Sequence, residues 1–225
     1  MPAGPPISVQ TLGHRDLDAL PLFPLPDVVL FPGALLPLHV FEPRYRQLVA
    51  DALDAGGALA LPRLRPGFEG DYHGSPAVYP VCGAGRIVRH ERLPDGRYHV
   101  LVVGLERVRL ERELPSSPYR RARARRLMNA PSQPPEVLTA WAIGLRGLVE
   151  RLRPHLGAEV EQIVETSDAC LLSDQVAAAV VADADERQRL LEQLDPAERV
   201  VRLTAQVREL VDRLEPDRAP DYGLN

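Results

Sequence analysis

The stretch from Leu20 to Leu53, LPLFPLPDVVLFPGALLPLHVFEPRYRQLVADAL, restricts the fold more than any other part of the chain. Prolines at positions 21, 24, 26, 32, 37 and 43 recur through a run of large apolar residues. Each proline fixes φ and removes a backbone donor. Each also pushes the residue before it toward extended geometry. A central strand cannot lose donors at that rate, so Leu22–Leu25 and Leu35–Val40 are expected as strands near a sheet edge. Pro32-Gly33 marks the turn between them. A helix is expected after Glu42, with Pro43 at its first position. Tyr45, Leu48, Val49, Ala52 and Leu53 recur at helical spacing and mark its buried face. Gly56-Gly57 ends it in the manner of a left-handed cap.

Strand signals continue beyond this stretch. Ala58–Leu64 reads as a small apolar strand broken at Pro62, and Arg65–Pro76 as a glycine-rich loop carrying Phe68, Tyr72 and His73. Val78–Val81 and Arg86–Arg92 read as strand segments on either side of Gly83-Ala84-Gly85. That triplet fails as a dinucleotide fingerprint, because the third glycine and the following helix are missing; a bulge is expected instead. Pro94-Asp95-Gly96 is a hairpin turn, followed by strands at Tyr98–Val103 and Glu106–Glu113. Val108 and Leu110 alternate with Arg107, Arg109 and Glu111, the pattern of a sheet with one wet face. Tyr119–Met128 carries Arg120, Arg121, Arg123, Arg125 and Arg126. One reading is an exposed edge strand whose charges block aggregation and pair with Glu106, Glu111 and Glu113. The other is an anion-binding stripe built on Arg121, Arg123 and Arg125, for RNA.

After a proline-rich linker at Asn129–Pro135 the apolar period changes from 2 to 3.6. Val137, Trp141, Leu145, Leu148 and Leu152 form one helix face, which places Trp141 in a core. A short helix is expected at Ala158–Glu165. Ser173 reads as the N-cap of a helix over Asp174–Ala182, and Asp183 with Glu186 as a capping-box pair for the next. Asp195-Pro196 opens the last helix, with a seam of Val200, Leu203, Val207, Leu210 and Leu214. The first fifteen and last ten residues read as loose ends. The partition is a β-rich domain over 17–128 and a helical bundle over 134–215. Charge follows it: residues 1–127 carry a net +4 and residues 128–225 a net −8, for the total of −4.

A chain of 225 residues suits one domain or two small ones. All 27 basic residues are Arg, and there is no Lys. A P-loop requires Lys, as does a Ser–Lys dyad, so neither exists here. The six histidines form no HExxH pattern and no GxSxG occurs. Cys82 and Cys170 are too few and too far apart for a zinc cluster and read as buried thiols of a reducing compartment. No apolar run approaches the ~18 residues of a membrane span, and no leader is evident. The expectation is a cytoplasmic protein without cofactor or catalytic site. Glu42 and Arg44 are expected in structural roles, the acid facing the positive end of the first long helix.

Three ordered stretches resemble the Lon protease N-terminal domain, the Lon substrate-binding domain. The first is Leu22-Phe23-Pro24-Leu25, Phe31-Pro32-Gly33, Pro37-Leu38 and Phe41-Glu42 with Arg44-Tyr45. The second is Gly85-Arg86-Ile87-Val88, then Asp95-Gly96 and Val103-Gly104-Leu105-Glu106-Arg107-Val108. The third is Ser173-Asp174-Gln175-Val176-Ala177, then Glu186-Arg187-Gln188-Arg189-Leu190-Leu191-Glu192. The resemblance implies an α+β fold: a PUA-like β pseudo-barrel with one inserted helix, followed by a C-terminal helical bundle. It also implies a stand-alone recognition module, without the ATPase and protease of Lon, for unfolded or degron-bearing protein segments, acting as an adaptor or competitor for a protease. An RNA-binding PUA-like module is the alternative. A site for extended clients needs exposed apolar groups, and Phe31, Phe68 and Tyr72 are expected to border it. Without Lys-dependent machinery, the pure protein is predicted to hydrolyse neither ATP nor peptides. Turnover that a point substitution abolishes would refute this.

Overall fold

A computed structural model describes residues 11–72, 74–156, 163, 166 and 168–215. Residues 1–10, His73, the last ten residues and, apart from Ile163, the helix expected at Ala158–Glu165 lie outside the described residues. In chain order the elements are α1 (His14–Asp18), β1 (Leu20–Pro21), β2 (Leu35–Val40), α2 (Pro43–Asp54), β3 (Ala58–Leu61), β4 (Val81–Arg92), β5 (Tyr98–Leu114), β6 (Arg121–Leu127), α3 (Pro135–Leu152), α4 (Ala169–Val180), α5 (Ala184–Glu192) and α6 (Pro196–Leu214). They form two compact units, Met1–Met128 with Val181–Leu194, and Asn129–Val180 with Asp195–Asn225.

The first unit is a six-stranded antiparallel sheet in the order β1-β6-β5-β4-β3, with β2 paired to the first half of β5. α2 starts at Pro43 and buries Tyr45, Leu48, Val49 and Ala52. Gly56 and Gly57, at φ 96° and 83°, end it, where only glycine is unstrained. Leu22–Leu25 is not a strand: Leu22 and Leu25 make single parallel bridges to Ala60 and Arg63. Prolines 24 and 26 remove the donors that a ladder there would need. Residues 11–15 are not loose, since Leu12 is buried and α1 begins at His14.

β4 and β5 differ most from expectation. β4 runs unbroken through Gly83-Ala84-Gly85, and β5 is one strand of 17 residues rather than two. The bulge is present, as a register shift between Ala84 and Gly85 that leaves Leu105 without a partner. The glycines serve a close approach. A Cβ on Gly83 would lie 1.8 Å from the Leu30 carbonyl oxygen, and one on Gly104 would lie 2.0 Å from that of Phe31. Leu30 and Phe31 therefore lie directly on the sheet backbone. Gly33 N–H donates to Gly104 O and Gly104 N–H to Ala34 O, each at 2.8 Å.

The wet face expected around Arg107 is covered at that residue. Arg107 is buried and its Nε donates to the Leu191 carbonyl at 2.9 Å. Gln188 Nε2 donates to Val81 O at 2.9 Å, and Arg63 Nη1 meets Asp185 Oδ1 at 2.6 Å. α5, read from sequence as part of the bundle, thus packs on the sheet of the first unit. It buries Leu190 and Leu191, but the partners of its polar anchors are not recorded in its apolar periodicity. Its N-cap is as expected: Asp183 accepts from Glu186 N–H at 2.7 Å.

The second unit packs α3, α4 and α6. α3 buries Leu138, Ala142, Leu145, Val149 and Leu152, and Trp141 is 38% exposed. The expected face is rotated by one residue. Val137-Leu138 and Leu148-Val149 are both apolar pairs, so period alone does not choose between the faces. Ser173 is not a cap. It lies inside α4, while Asp168 Oδ1 accepts from Cys170 N–H at 2.8 Å. α6 is capped by Asp195, which accepts from Ala197 N–H at 2.9 Å. Its seam keeps Val200, Leu203 and Val207 but continues to Val211, leaving Leu214 exposed. Arg199 is fully buried, with Nε 3.4 Å from Asp174 Oδ1 and 3.1 Å from Ser173 Oγ, and Nη1 3.1 Å from Asn129 Oδ1.

Gly83→Ala should lower the stability of the first unit by about 1–3 kcal/mol, because the added methyl displaces the Leu30 backbone. Gly144→Ala, in α3 with nothing within 4 Å of its added Cβ, should raise the stability of the second by about 0.5–1 kcal/mol. Denaturant titration of the variants checks both signs.

Candidate functional site

β2 alternates across the sheet. Leu36, Leu38 and Val40 face the core, opposite Val102, Val100 and Tyr98. Leu35, Pro37 and His39 face outward, opposite Val103, Leu101 and His99. On the third strand, Arg89 stands beside Leu101 and Glu91 beside His99. These three strands form an open groove of about 630 Å3, lined by Pro37, Leu38, His39, Arg89, His90, Glu91, His99, Val100 and Leu101. The His39 ring lies 5.0 Å from that of His99, edge-on, and 5.9 Å from Phe41. Phe41 is 60% exposed and Leu35 42%. Glu91 Oε2 lies 3.7 Å from His99 Nδ1.

β2 pairs with β5 and with no other described strand. Ala34 O accepts from Gly104 N–H, so alternation turns the backbone groups of 36, 38 and 40 toward β5. The backbone groups of 35, 37 and 39 then point to the free edge. Pro37 has no N–H there, which is where a proline costs a sheet least. Apolar side chains and unpaired backbone groups side by side can hold an extended chain through main-chain bonds and side-chain contacts.

The residues expected to border a peptide site separate. Phe31 is 0% exposed, with its carbonyl packed over Gly104, and cannot meet a client. Val28–Phe31 is a run of four apolar residues, and the structure buries Val29, Leu30 and Phe31. Phe68 and Tyr72 are half-buried neighbours, with ring centroids 6.2 Å apart. Tyr72 OH donates to Glu42 Oε1 at 2.9 Å, Arg44 Nε donates to Glu42 Oε2 at 3.0 Å, and Arg44 Nη2 donates to the Tyr72 carbonyl at 3.1 Å. Burial, then the bond to Glu42, pushes the Tyr72 hydroxyl above its ordinary range. Glu42 and Arg44 thus tie the 65–76 loop to the start of α2. Glu42 makes no side-chain cap bond to the helix.

Most of the Arg strand is neutralised. Arg126 forms two bonds to Glu106, at 2.7 and 2.8 Å, and Arg120 pairs with both oxygens of Glu113. Arg125 lies 3.5 Å from Glu111 and Arg123 3.6 Å from Asp18, while Arg121 is half-buried. Cys82 is fully buried, and burial pushes its thiol up to about 12, so it is not a nucleophile. Among the described residues, no three His, Cys, Asp or Glu side chains are placed to hold a metal ion, and no helix is long and apolar enough to cross a membrane.

The sequence reading missed Leu35, His39, Phe41, Glu91 and His99 as a group. The alternation of β2 pointed three of its residues outward; only the strand register brings His99 and Glu91 beside them.

Residues 19–209 match the family model for the ATP-dependent protease La (LON) substrate-binding domain. The chain is 31% identical to Lon protease 2 of Sorangium cellulosum over 92% of its own length and 26% of that protein. It spans about a quarter of the length of the curated relatives it matches. Two solved structures share the fold. The Lon N-terminal domain protein of Xanthomonas campestris has a TM-score of 0.58 at 24% identity, covering 83% of this chain and 97% of that one. The N-terminal domain of Mycobacterium avium complex Lon protease has a TM-score of 0.65 at 16% identity, covering 85% and 99%. The match over most of the chain places it in the Lon substrate-binding domain family.

Proposed function

We propose that this chain is a non-catalytic cytoplasmic module that recognises extended, unfolded or degron-bearing protein segments, and that it serves a protease as an adaptor. Family membership supports recognition of protein substrates in the context of Lon proteolysis. The observation that carries the placement of the site is β2. Its outer edge is unpaired among the described strands, its exposed face holds Leu35 and Phe41, and a groove of about 630 Å3 lies beside it. Folded proteins bury their apolar side chains and pair their strands, so a site of this kind selects chains that have done neither. Phe68 and Tyr72 form a second, half-buried aromatic pair, but Tyr72 is held by Glu42 and is less free to adapt to a client. The RNA-binding alternative meets opposition from carboxylates. A phosphate on Arg123 or Arg125 would have to compete with Asp18 or Glu111.

The test is fluorescence anisotropy of a labelled, reduced and carboxymethylated protein that cannot refold. The double variant Leu35→Ser, Phe41→Ser should stay folded, because both side chains are exposed, and should weaken binding by about tenfold or more. Phe68→Ala should change it less. Undiminished binding by the β2 variant would overturn the site.

A further inference from the structure

A second recess of about 400 Å3 opens where Arg65, Tyr79, Pro80, Val81, Arg109 and Glu192 meet. Its walls are held by backbone bonds. Arg65 N–H donates to Ala77 O at 2.8 Å, Tyr79 N–H to Arg63 O at 2.9 Å, and Leu110 N–H to Pro80 O at 2.7 Å. Two guanidiniums border the Tyr79 ring, Arg63 at 5.4 Å and Arg65 at 5.5 Å from its centroid. Arg63 is engaged by Pro26 O and Asp185. Arg65 and Arg109 are exposed and have no carboxylate partner among the described residues. Arg109 also stands directly opposite Arg125 across β5 and β6. Like charges at opposed positions repel. Arg125 is relieved by Glu111, whereas Arg109 has no such relief. Glu192 opposes an anion in the recess, although its Oε1 already accepts from Gln188 Nε2 at 2.8 Å.

We propose that this recess is an oxyanion site that takes a carboxylate of an acidic protein segment between Arg65 and Arg109. Arg65 lies against the Tyr79 ring, 5.5 Å from its centroid, and a guanidinium presents paired N–H groups to two oxygens at once. The rigid walls mean that little ordering is needed when the anion arrives. The site gives the client-recognition reading a charge preference: a client with a side-chain or terminal carboxylate gains a second anchor. The assignment of the anion to a polypeptide rests on that reading. The oxyanion site itself rests on the two guanidiniums.

The experiment is anisotropy on the full chain with a short labelled peptide rich in glutamate and with its glutamine counterpart, each with a free or an amidated C-terminus. The glutamate peptide should bind more tightly than the glutamine peptide, and inorganic phosphate should displace it. Arg65→Gln with Arg109→Gln should cost about tenfold for the glutamate peptide and leave the amidated glutamine peptide unchanged. Glu192→Gln should tighten the glutamate peptide, because it removes the opposing charge and keeps an acceptor for Gln188. A preference for the free over the amidated glutamine peptide, lost in the arginine variant, would identify the chain end as a source of the carboxylate. If the arginine variant, folded by circular dichroism, binds the glutamate peptide as the wild type does, the proposal is wrong. The Leu35→Ser, Phe41→Ser variant should retain the arginine-dependent preference for glutamate, so failure at one site is distinguishable from failure at the other.

Discussion

The first unit depends on one close approach. The backbone of Leu30 and Phe31 lies on β4 and β5 at a distance that only hydrogen side chains at Gly83 and Gly104 permit. The consequences spread along the chain. Leu30 and Phe31 are buried, Gly33 and Ala34 are locked to Gly104, and β2 enters the sheet in a register that turns Leu35, Pro37 and His39 outward. A methyl group at either glycine would lift this segment and loosen the strand that carries the candidate site.

Arginine supplies the polar framework of a chain without lysine. Arg63 and Arg107 reach α5 and the loop carbonyl of Pro26 from buried positions, and Arg199 lies among Asp174, Ser173 and Asn129 in the second unit. The planar guanidinium suits this work, since it directs several N–H groups at carbonyl and carboxylate oxygens and is more weakly hydrated than an ammonium. The same side chain is differently employed on β6, where carboxylates neutralise most of a row that sequence alone could present as an RNA surface. At the second recess two guanidiniums lack that neutralisation, and there the chemistry turns from support to binding.

The two candidate sites share a design. In each, a rigid backbone holds a few accessible groups at a strand or helix boundary: the outer face of β2 offers apolar contact and open main-chain groups, and the recess beside Tyr79 offers charge. A client with an apolar stretch or an acid could engage one of these contacts without a single deep pocket. That suits recognition of many sequences, because neither site requires a particular side-chain order.

Local rules were legible in the residues themselves. Pro43 after Glu42 starts α2, Gly56-Gly57 ends it, Asp183 and Asp195 cap their helices, and Leu35–Val40 is an edge strand because Pro37 removes an outward donor. These features depend on φ, on donors and on neighbours a few positions away. What only the tertiary structure decided required knowing which distant residue stands opposite. The burial of Phe31 depends on glycines about fifty and seventy residues downstream. The exposure of Trp141 depends on which of two overlapping apolar faces met its neighbours. The docking of α5 buries Leu190 and Leu191 and also uses buried polar bonds that no hydrophobic period records. Periodicity reports how much apolar surface a segment has to hide; the partner that hides it is set by packing, which is a property of the whole fold.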